Sequence, residues 1–279
     1  MAIALALSAA LAYGSADFVG GLAARRTSPI ITAFGAQLTG LVVLLVAMPF
    51  LGHATPTATD LLWGSVAGVF GGTGIVLLYR ALATGPMSVV APTTALAASV
   101  VPILAGIVLG ERPGGLAVVG IAVSLVAVVL ITRERVSEHH VPAGRKVIGL
   151  ALGGGAIFGM FFVFLHQTGD GAGLWPLLAA RLTSVPLLAL LIARQVGFSS
   201  FQVPRLSRPV MVSGALDMGA NICYLIALRH GMLSVVAALT GLYPASTILL
   251  AQSHLRERLH LPQFVGLGVA ACAAILIAI

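Results

Sequence analysis

The chain has 279 residues, of which 59% are hydrophobic and only 8% are charged, and its mean hydropathy is +1.08. This composition excludes a water-soluble globular protein, because so few polar side chains could not cover the surface of a domain of this length. The net charge of +7 comes from basic residues scattered over short segments, which argues against a nucleic-acid-binding face.

Ten apolar segments follow one another along the chain, each close to the roughly 20 residues that a helix needs to cross a bilayer. Their continuous apolar runs favour helices over the alternating strands of a membrane barrel. The predicted spans cover residues 2–23, 29–51, 61–83, 87–109, 114–132, 147–167, 173–194, 208–228, 232–254 and 261–279. The sequence therefore predicts an all-α membrane protein with ten transmembrane helices.

The second half of the chain repeats the first. Residues 79–131 and 225–277 share one pattern at a spacing of 146 residues. The matched anchors include Gly85 and Gly231, Glu111 and Glu257, Gly120 and Gly266, and, more weakly, Gly68 and Gly214. Because each half has five spans, two halves of the same fold must lie inverted relative to each other. We predict two five-helix repeats, at 1–132 and 147–279, around a central cavity and joined by a cytoplasmic linker at 133–146.

The end of each repeat carries a recognisable motif. Residues 85–92 spell Gly-Pro-Met-Ser-Val-Val-Ala-Pro and lead into Leu-Gly-Glu-Arg at 109–112, and residues 231–258 repeat the pattern with Arg256 in place of the glycine. With ten spans in two units, the whole chain resembles the EamA domains of the drug/metabolite transporter superfamily. The resemblance implies a central substrate cavity and secondary transport, commonly export of small metabolites or amino acids, without a nucleotide-binding domain.

The basic residues are distributed unequally between the two sides of the predicted membrane. Twelve of them lie at the odd-numbered connections and two at the even-numbered ones, which are Arg112 and Arg229. Cytoplasmic loops are the ones enriched in Lys and Arg, so the count predicts that both termini lie outside a bacterial inner or plasma membrane. The resemblance implies the opposite orientation, and the charge count favours the inverted one.

Two carboxylates lie within predicted spans, where an ionised side chain costs roughly 2.5–3.5 kcal/mol on insertion scales. Asp17 follows Tyr13 by four residues on one face of the first span. Asp217 lies close to the middle of the eighth span. We predict that both carboxylates couple transport to protons, and the alternatives are that Asp17 pairs with Arg25 or Arg26 and that Asp217 is a buried structural partner.

The eighth span also carries Asn221 and Tyr224, which form a polar stripe with Asp217. Arg181 is the only cation deep in the seventh span, and its guanidinium cannot lose its proton there. It therefore requires a partner, which Asp217 or Asp17 can supply. A fixed ion pair and recognition of a substrate carboxylate are both open for this residue.

Further substrate-binding candidates lie at helical spacing on other spans. Phe158 and Phe162 form an aromatic stripe in the sixth span, for which helix packing is the alternative. Thr93 and Thr94 follow Pro92, whose missing amide weakens the fourth span, and Tyr243 precedes Pro244 in the ninth. The predicted substrate-binding residues are Tyr13, Thr93, Phe158, Phe162, Arg181, Asn221, Tyr224 and Tyr243.

Glu111 and Glu257 end equivalent spans. We predict structural roles for them, either pairing with the arginine that follows or capping the next helix at Gly114 or Leu261. The His139-His140 pair in the linker is interpreted as a linker feature and not as a metal site.

No Walker motif, metal-ligand spacing or nucleophile motif occurs in the chain. The sequence therefore predicts no enzyme activity, no cofactor and no bound metal. The predicted function is proton-coupled export of small metabolites by alternating access, with the substrate, protons and the lipid bilayer as partners. An uncoupled facilitator or a multidrug exporter of the same fold is the alternative, and a membrane scaffold is a remote one. A monomer suffices to enclose a cavity, and a dimer is left open.

Overall fold

The computed structural model describes residues 1–50, 54–131, 144–196, 206–255 and 261–279. These residues form α-helices with two short 3-10 turns, at Met48–Phe50 and Asp170–Ala172. The helices are α1 (Ala2–Arg26), α2 (Pro29–Ala47), α3 (Ala58–Thr84), α4 (Met87–Val108), α5 (Gly115–Ile131), α6 (Arg145–His166), α7 (Trp175–Val196), α8 (Arg208–Leu228), α9 (Leu233–Thr240), α10 (Pro244–Leu255) and α11 (Leu261–Ala278). The predicted all-α fold is confirmed. Most of the predicted linker lies outside the described residues.

Nine helical stretches within the described ranges are long and apolar enough to cross a membrane. One of them, Leu233–Leu250, combines α9 with the start of α10, and the remaining predicted span is the shorter apolar helix α5. The helices and the ten segments inferred from hydropathy coincide within a few residues at most ends. The main difference is that α1 continues to Arg26, which brings two arginines into its last turn.

The ninth predicted span is broken, whereas the fourth is continuous. α9 ends at Thr240, a turn follows at residues 241–243, and α10 begins at Pro244. Proline at the first position of a helix has no amide to leave unpaired, so Pro244 starts α10 without cost. α4 contains Pro92 and Pro102 without a break in its assignment. The two repeats therefore differ at the segment that the sequence matches as equivalent.

The helix packing repeats between the two halves. α1 packs on α8 as α6 packs on α3, and α2 packs on α8 as α7 packs on α3. The pairs α2 with α7 and α5 with α11 each join equivalent helices of the two halves. Exchanging the halves therefore maps this set of contacts onto itself, as expected for two inverted copies of one five-helix unit.

Glycines at equivalent positions make equivalent close approaches. A Cβ atom added at Gly68 in α3 would lie 2.3 Å from the carbonyl oxygen of Ala180 in α7. A Cβ atom added at Gly214 in α8 would lie 2.4 Å from the carbonyl oxygen of Ala36 in α2. Neither distance is sterically allowed, so both crossings require glycine at the contact. This is the small-residue packing on which membrane helices depend.

Buried polar contacts also join the two halves. The hydroxyls of Tyr79 and Ser213 lie 2.9 Å apart, and Ser213 donates to the carbonyl oxygen of Ala16 at 2.9 Å. Ser184 donates to the side-chain oxygen of Gln37 at 3.0 Å. In lipid a polar group without a partner is costly, so these contacts align the two halves as well as holding them together.

Glu111 corrects one prediction made from the sequence. Its carboxylate accepts hydrogen bonds from the backbone amides of Leu233 and Ser234, and the Ser234 contact measures 2.9 Å. It thus caps the first turn of α9 in the other half, and not the helix that follows it at Gly114. The first-turn amides of a helix lack intrahelical acceptors and carry partial positive charge, so a carboxylate from a distant segment can satisfy them. Glu257 lies outside the described residues.

Candidate functional site

A cavity lies between the two halves, where α1, α3 and α4 of the first meet α6, α8 and the turn between α9 and α10 of the second. Atom-free space of about 360 Å³ lies between its lining side chains, and this figure includes space that is open to the surroundings. Its lining combines two carboxylates with aromatic and aliphatic side chains. The lining residues are Tyr13, Asp17, Ile75, Leu78, Thr94, Phe158, Phe162, Asp217 and Tyr243. Five helices and one turn, drawn from both halves, thus contribute to one site, so relative motion of the halves would change it.

Asp17 lies on the cavity side of α1, one turn after Tyr13. Within the described part of the chain, no hydrogen bond or ion pair is formed by its carboxylate. Arg25, one of the partners considered from the sequence, donates instead to the carbonyl oxygens of Leu82 and Gly85. The Asp17 carboxylate is therefore available to a proton or a solute in the cavity.

Asp217 is bound to a cation. A guanidinium nitrogen of Arg181 in α7 donates to its carboxylate at 2.6 Å, and each side chain is only 7% exposed. Gly40 in α2 makes room for this guanidinium, since a Cβ atom added there would lie 3.3 Å from the Arg181 Nε atom. Asp217 lines the cavity, whereas Arg181 is not among its lining residues.

Asn221 supports Asp217 from the next turn of α8. Its amide nitrogen lies 2.6 Å from the backbone carbonyl oxygen of Asp217 and 3.2 Å from its carboxylate. The Asp217 carboxylate therefore has two donors, from Arg181 and Asn221. These contacts fix its orientation relative to the cavity.

Aromatic rings form one wall of the cavity. The ring of Tyr13 meets those of Phe158 and Phe162 edge-on, with centroids 6.2 and 5.9 Å apart. Phe162 also packs on Tyr224, with ring centroids 4.1 Å apart. Gly71, at the position that matches Asp217, lies against Phe161, whose ring carbon is 2.9 Å from an added Cβ atom. The repeat position of the acid thus serves aromatic packing in the first half.

Several buried hydroxyls around the cavity lack a partner among the described residues. They belong to Tyr13 and Thr94, which line the cavity, and to Tyr224, which lies behind Phe162. Buried polar groups are nearly always hydrogen-bonded, so orphaned hydroxyls beside a cavity indicate groups that a bound molecule or water completes.

The structure brings most of the predicted site residues together and separates the others from the cavity wall. Tyr13, Asp17, Phe158, Phe162, Asp217 and Tyr243 line the cavity. Arg181, Asn221 and Tyr224 lie immediately behind this wall. Thr93 is not among the lining residues, and its hydroxyl donates to the carbonyl oxygen of Val89 at 2.7 Å.

On α4, Thr94 lines the cavity and Thr93 does not. Without knowing how α4 is rotated about its axis, the sequence does not show which of these two neighbouring residues faces the cavity. Ile75 and Leu78 of α3 also line the cavity and were not predicted. Apolar side chains in an apolar span carry no sequence signal that separates lining from packing. The depth of Asp17 and Tyr13 was the only available indication of which face of α1 turns inward.

Comparisons with known proteins agree with this architecture. The model of the EamA-like transporter family matches residues 1–133 and 145–279. A solved crystal structure of another protein superimposes with a TM-score of 0.69 at 17% sequence identity, over 96% of this chain and 95% of that one, and therefore shares the fold. No curated protein matches the sequence. With the family pattern present in both halves, the chain belongs to the EamA-like transporter family and is a multi-pass membrane transporter of the drug/metabolite transporter superfamily.

Proposed function

We propose that this transporter is a secondary active, proton-coupled exporter of small metabolites such as amino acids and related compounds. The observation that carries the proposal is the cavity between the halves, which contains the carboxylates of Asp17 and Asp217. Carboxylates buried among membrane helices are costly and typically mark ion or substrate pathways.

The inverted packing of the halves supports alternating access. In transporters built from inverted repeats, each half can adopt the conformation of the other, which moves the opening of the cavity from one membrane face to the opposite face. The turn at residues 241–243 interrupts the helix at the cavity residue Tyr243. This segment is the proposed hinge, since hinges are a few residues at element ends.

A transmembrane gradient is the proposed energy source. Moving one elementary charge through 100 mV is worth about 2.3 kcal/mol, which corresponds to about a 50-fold concentration ratio for a neutral solute. Asp17 is the proposed proton carrier, because its carboxylate faces the cavity without a protein donor in the described chain. Asp217 contributes through its contact with Arg181. The charge on a carboxylate depends on whether a cation contacts it, so a movable contact would link the two sites.

Gradient-driven flux in proteoliposomes tests the proposal. A thermal-shift screen of the purified protein against a metabolite library identifies a cargo, and counterflow with the labelled hit establishes that it is transported. An imposed pH gradient should then drive its accumulation. Asp17→Asn should abolish this accumulation while counterflow continues. Asp170→Asn, in an exposed turn, is the matched control.

The competing function within the same fold is uncoupled facilitated diffusion. It predicts flux that follows only the cargo gradient and ignores the pH step in wild type and in both variants. Accumulation against the cargo gradient in wild type would exclude it. Accumulation that persists in Asp17→Asn would remove Asp17 from the coupling mechanism.

The membrane orientation is part of the proposal. The distribution of Lys and Arg supports cytoplasmic odd-numbered connections and termini outside a bacterial inner membrane. Export would then load the cavity from the side of the connection between α3 and α4.

A further inference from the structure

We infer that Glu111 is the latch that closes the cavity toward one end of the helix bundle. This end, called the even face below, carries the connections α2–α3, α4–α5, α6–α7 and α8–α9. The latch holds while the Glu111 carboxylate of the first half caps α9 of the second, and it breaks when the even face opens. The assignment rests on the proposed function, because only a cavity that opens at alternate faces needs such a gate.

The two carboxylates of the cavity lie closer to the opposite end of the bundle. Asp17 lies nine residues before the end of α1 at Arg26, and Asp217 lies nine residues after the start of α8 at Arg208. Arg26 and Arg208 are both at the end opposite the even face, because α1 leads into the α1–α2 connection and α8 follows the α7–α8 connection. A solute bound at these acids therefore has more of the bundle to cross on its way to the even face.

A continuous layer of buried side chains fills that part of the bundle. Phe162 lines the cavity and packs on Tyr224, with ring centroids 4.1 Å apart. Both belong to one buried hydrophobic cluster with Leu165, Leu228 and Leu233. Leu228 ends α8 and Leu233 starts α9, so the cluster extends from the cavity to the even face. A solute cannot pass while these side chains remain packed together.

Glu111 joins the two halves at the outer edge of this layer. Its carboxylate, from the connection after α4, accepts hydrogen bonds from the amides of Leu233 and Ser234 at the start of α9. The two segments approach so closely that a Cβ atom added at Gly106 in α4 would collide with the Glu111 carboxylate and lie 3.2 Å from the Ser234 amide nitrogen. Met232, the residue before α9, makes no side-chain capping hydrogen bond within the described chain. The start of α9 therefore depends on an acid from the other half.

A second carboxylate joins the halves at the same face. Asp60, in the first turn of α3, accepts a hydrogen bond from the amide of Gly169 in the α6–α7 connection at 2.7 Å. Beside it, the amide of Thr55 donates to the carbonyl oxygen of Gly171 at 3.3 Å. Both contacts would be lost if the halves moved apart here, so polar contacts at two places close the even face in this structure.

The Glu111 contact differs from an ordinary helix cap in where its partner lies. Thr57 caps α3 from the adjacent position in the chain and moves with that helix. Glu111 and Leu233 belong to different halves, so their contact exists only while α4 and α9 stay together. A contact made in one conformation and lost in another shifts the equilibrium toward the first. The first-turn amides of α9 would otherwise need water, which reaches them once the even face opens.

Two buried serines provide reporters for the test. Ser234 is fully buried in the first turn of α9, and its backbone amide, not its hydroxyl, contacts Glu111. Ser99 of α4 is 3% exposed, and a Cβ atom added at Gly241, directly after α9, would collide with its hydroxyl. Ser99 lies nine residues before the end of α4 at Val108, a distance of roughly 14 Å along the helix. Fraying of the first turn of α9 would expose position 234 alone, whereas separation of α4 from α9 would expose both positions.

The test measures thiol reactivity in the purified full-length protein in detergent, without cargo. Ser99→Cys and Ser234→Cys are made singly in a background with Cys223 and Cys272 replaced by serine. The reagent is 2-(trimethylammonio)ethyl methanethiosulfonate, which reacts only where water reaches, and mass spectrometry gives the rate. We predict that Glu111→Gln raises the rate at both reporters about tenfold, the factor expected for the loss of a helix cap. Arg112→Gln, at an exposed neighbouring position, should leave both rates unchanged.

Three results would overturn the latch. A faster reaction at Ser234→Cys alone would show that Glu111 is a local cap and nothing more. Unchanged rates at both reporters, or an equal rise in Arg112→Gln, would exclude a role for this carboxylate in closing the face. Gel filtration checks the fold of each variant. If Glu111→Gln does not fold, Glu111→Asp replaces it, because the shorter side chain keeps the charge but does not reach both amides, and an unchanged rate at Ser99→Cys in that variant would also overturn the latch.

The outcome is separable from proton coupling, because the reporters need neither cargo nor a gradient. Flux that ignores the pH step, together with faster reaction at both reporters in Glu111→Gln, would overturn the coupling and retain the latch. Accumulation driven by the pH step, together with an unchanged rate at Ser99→Cys, would overturn the latch and retain the proton-coupled exporter.

Discussion

Arg181 and Asp217 form an ion pair of 2.6 Å between α7 and α8, two consecutive helices of the second half, with each side chain only 7% exposed. The pair gives a partner to a guanidinium that cannot lose its proton in the membrane. The carboxylate of Asp217 lines the cavity, whereas Arg181 does not. The first half has Gly71 at the position of Asp217, so this polar centre belongs to one repeat only. The helix packing repeats between the two halves, whereas this ion pair lies in the second half alone among the described residues.

The two partners of this ion pair should differ in their sensitivity to substitution. Asp217→Asn leaves a buried guanidinium that cannot neutralise itself, whereas Arg181→Gln leaves a carboxylate that can take up a proton. We expect Asp217→Asn to destabilise the protein by about 3–5 kcal/mol, which is more than Arg181→Gln does. The double variant that carries both substitutions should be more stable than Asp217→Asn alone. Thermal unfolding in detergent at several pH values measures this order. Unfolding temperatures equal to that of wild type in all three variants would show that the ion pair does not stabilise the protein.

The equivalent helix crossings should respond equally to an added methyl group. Gly68→Ala and Gly214→Ala each place a Cβ atom against a backbone carbonyl, at 2.3 and 2.4 Å. We expect each to destabilise the protein by about 1–3 kcal/mol, because neighbouring backbone must shift. Gly268→Ala in α11, where no atom lies within 4 Å of the added Cβ, is the control. If one of the two variants unfolded at the same temperature as Gly268→Ala and the other at a lower temperature, the two crossings would not be packed equivalently.

Glu111→Gln should weaken the start of α9. The carboxylate accepts from the amides of Leu233 and Ser234, and the amide side chain keeps one acceptor oxygen but loses the charge. We expect a loss of about 1 kcal/mol, with Glu111→Ala more severe. Hydrogen exchange at the amides of Leu233 and Ser234 should rise in both variants. Arg112→Gln is the neighbouring control, and unchanged exchange in Glu111→Ala would refute the cap.

Cysteine labelling should establish the orientation. In a background with Cys223 and Cys272 replaced by serine, Gln167→Cys and Ser28→Cys place exposed thiols at opposite ends of the bundle. The charge distribution predicts that an impermeant maleimide added to intact cells labels position 167 and spares position 28. The reverse pattern would place both termini in the cytoplasm and reverse the proposed direction of loading.

Much of the fold was predictable because the bilayer constrains it strongly. The sequence alone predicts ten helices in two inverted halves. The prediction follows from the span lengths, the matches at a spacing of 146 residues and the odd number of spans per half. The same constraint indicated Asp17, Asp217 and Arg181, since charged residues are rare and costly at that depth.

The details that the sequence left open depend on contacts between distant segments. The capping of α9 by Glu111 joins residues more than a hundred positions apart, and nothing in the local sequence specifies it. The choice of Thr94 over Thr93 depends on the rotation of α4 about its axis. The sequence likewise did not choose between a fixed ion pair and a substrate contact for Arg181, and the observed pair with Asp217 depends on how α7 and α8 each pack on α2.

The most direct test of the central claim measures proton movement during transport. Proteoliposomes with an entrapped pH-sensitive dye receive the cargo found in the metabolite screen, with no pH gradient imposed. We predict a change in internal pH for wild type and for Asp170→Asn, and none for Asp17→Asn at matched protein density. An equal pH change in Asp17→Asn, or cargo uptake by wild type without any pH change, would contradict proton coupling at this carboxylate.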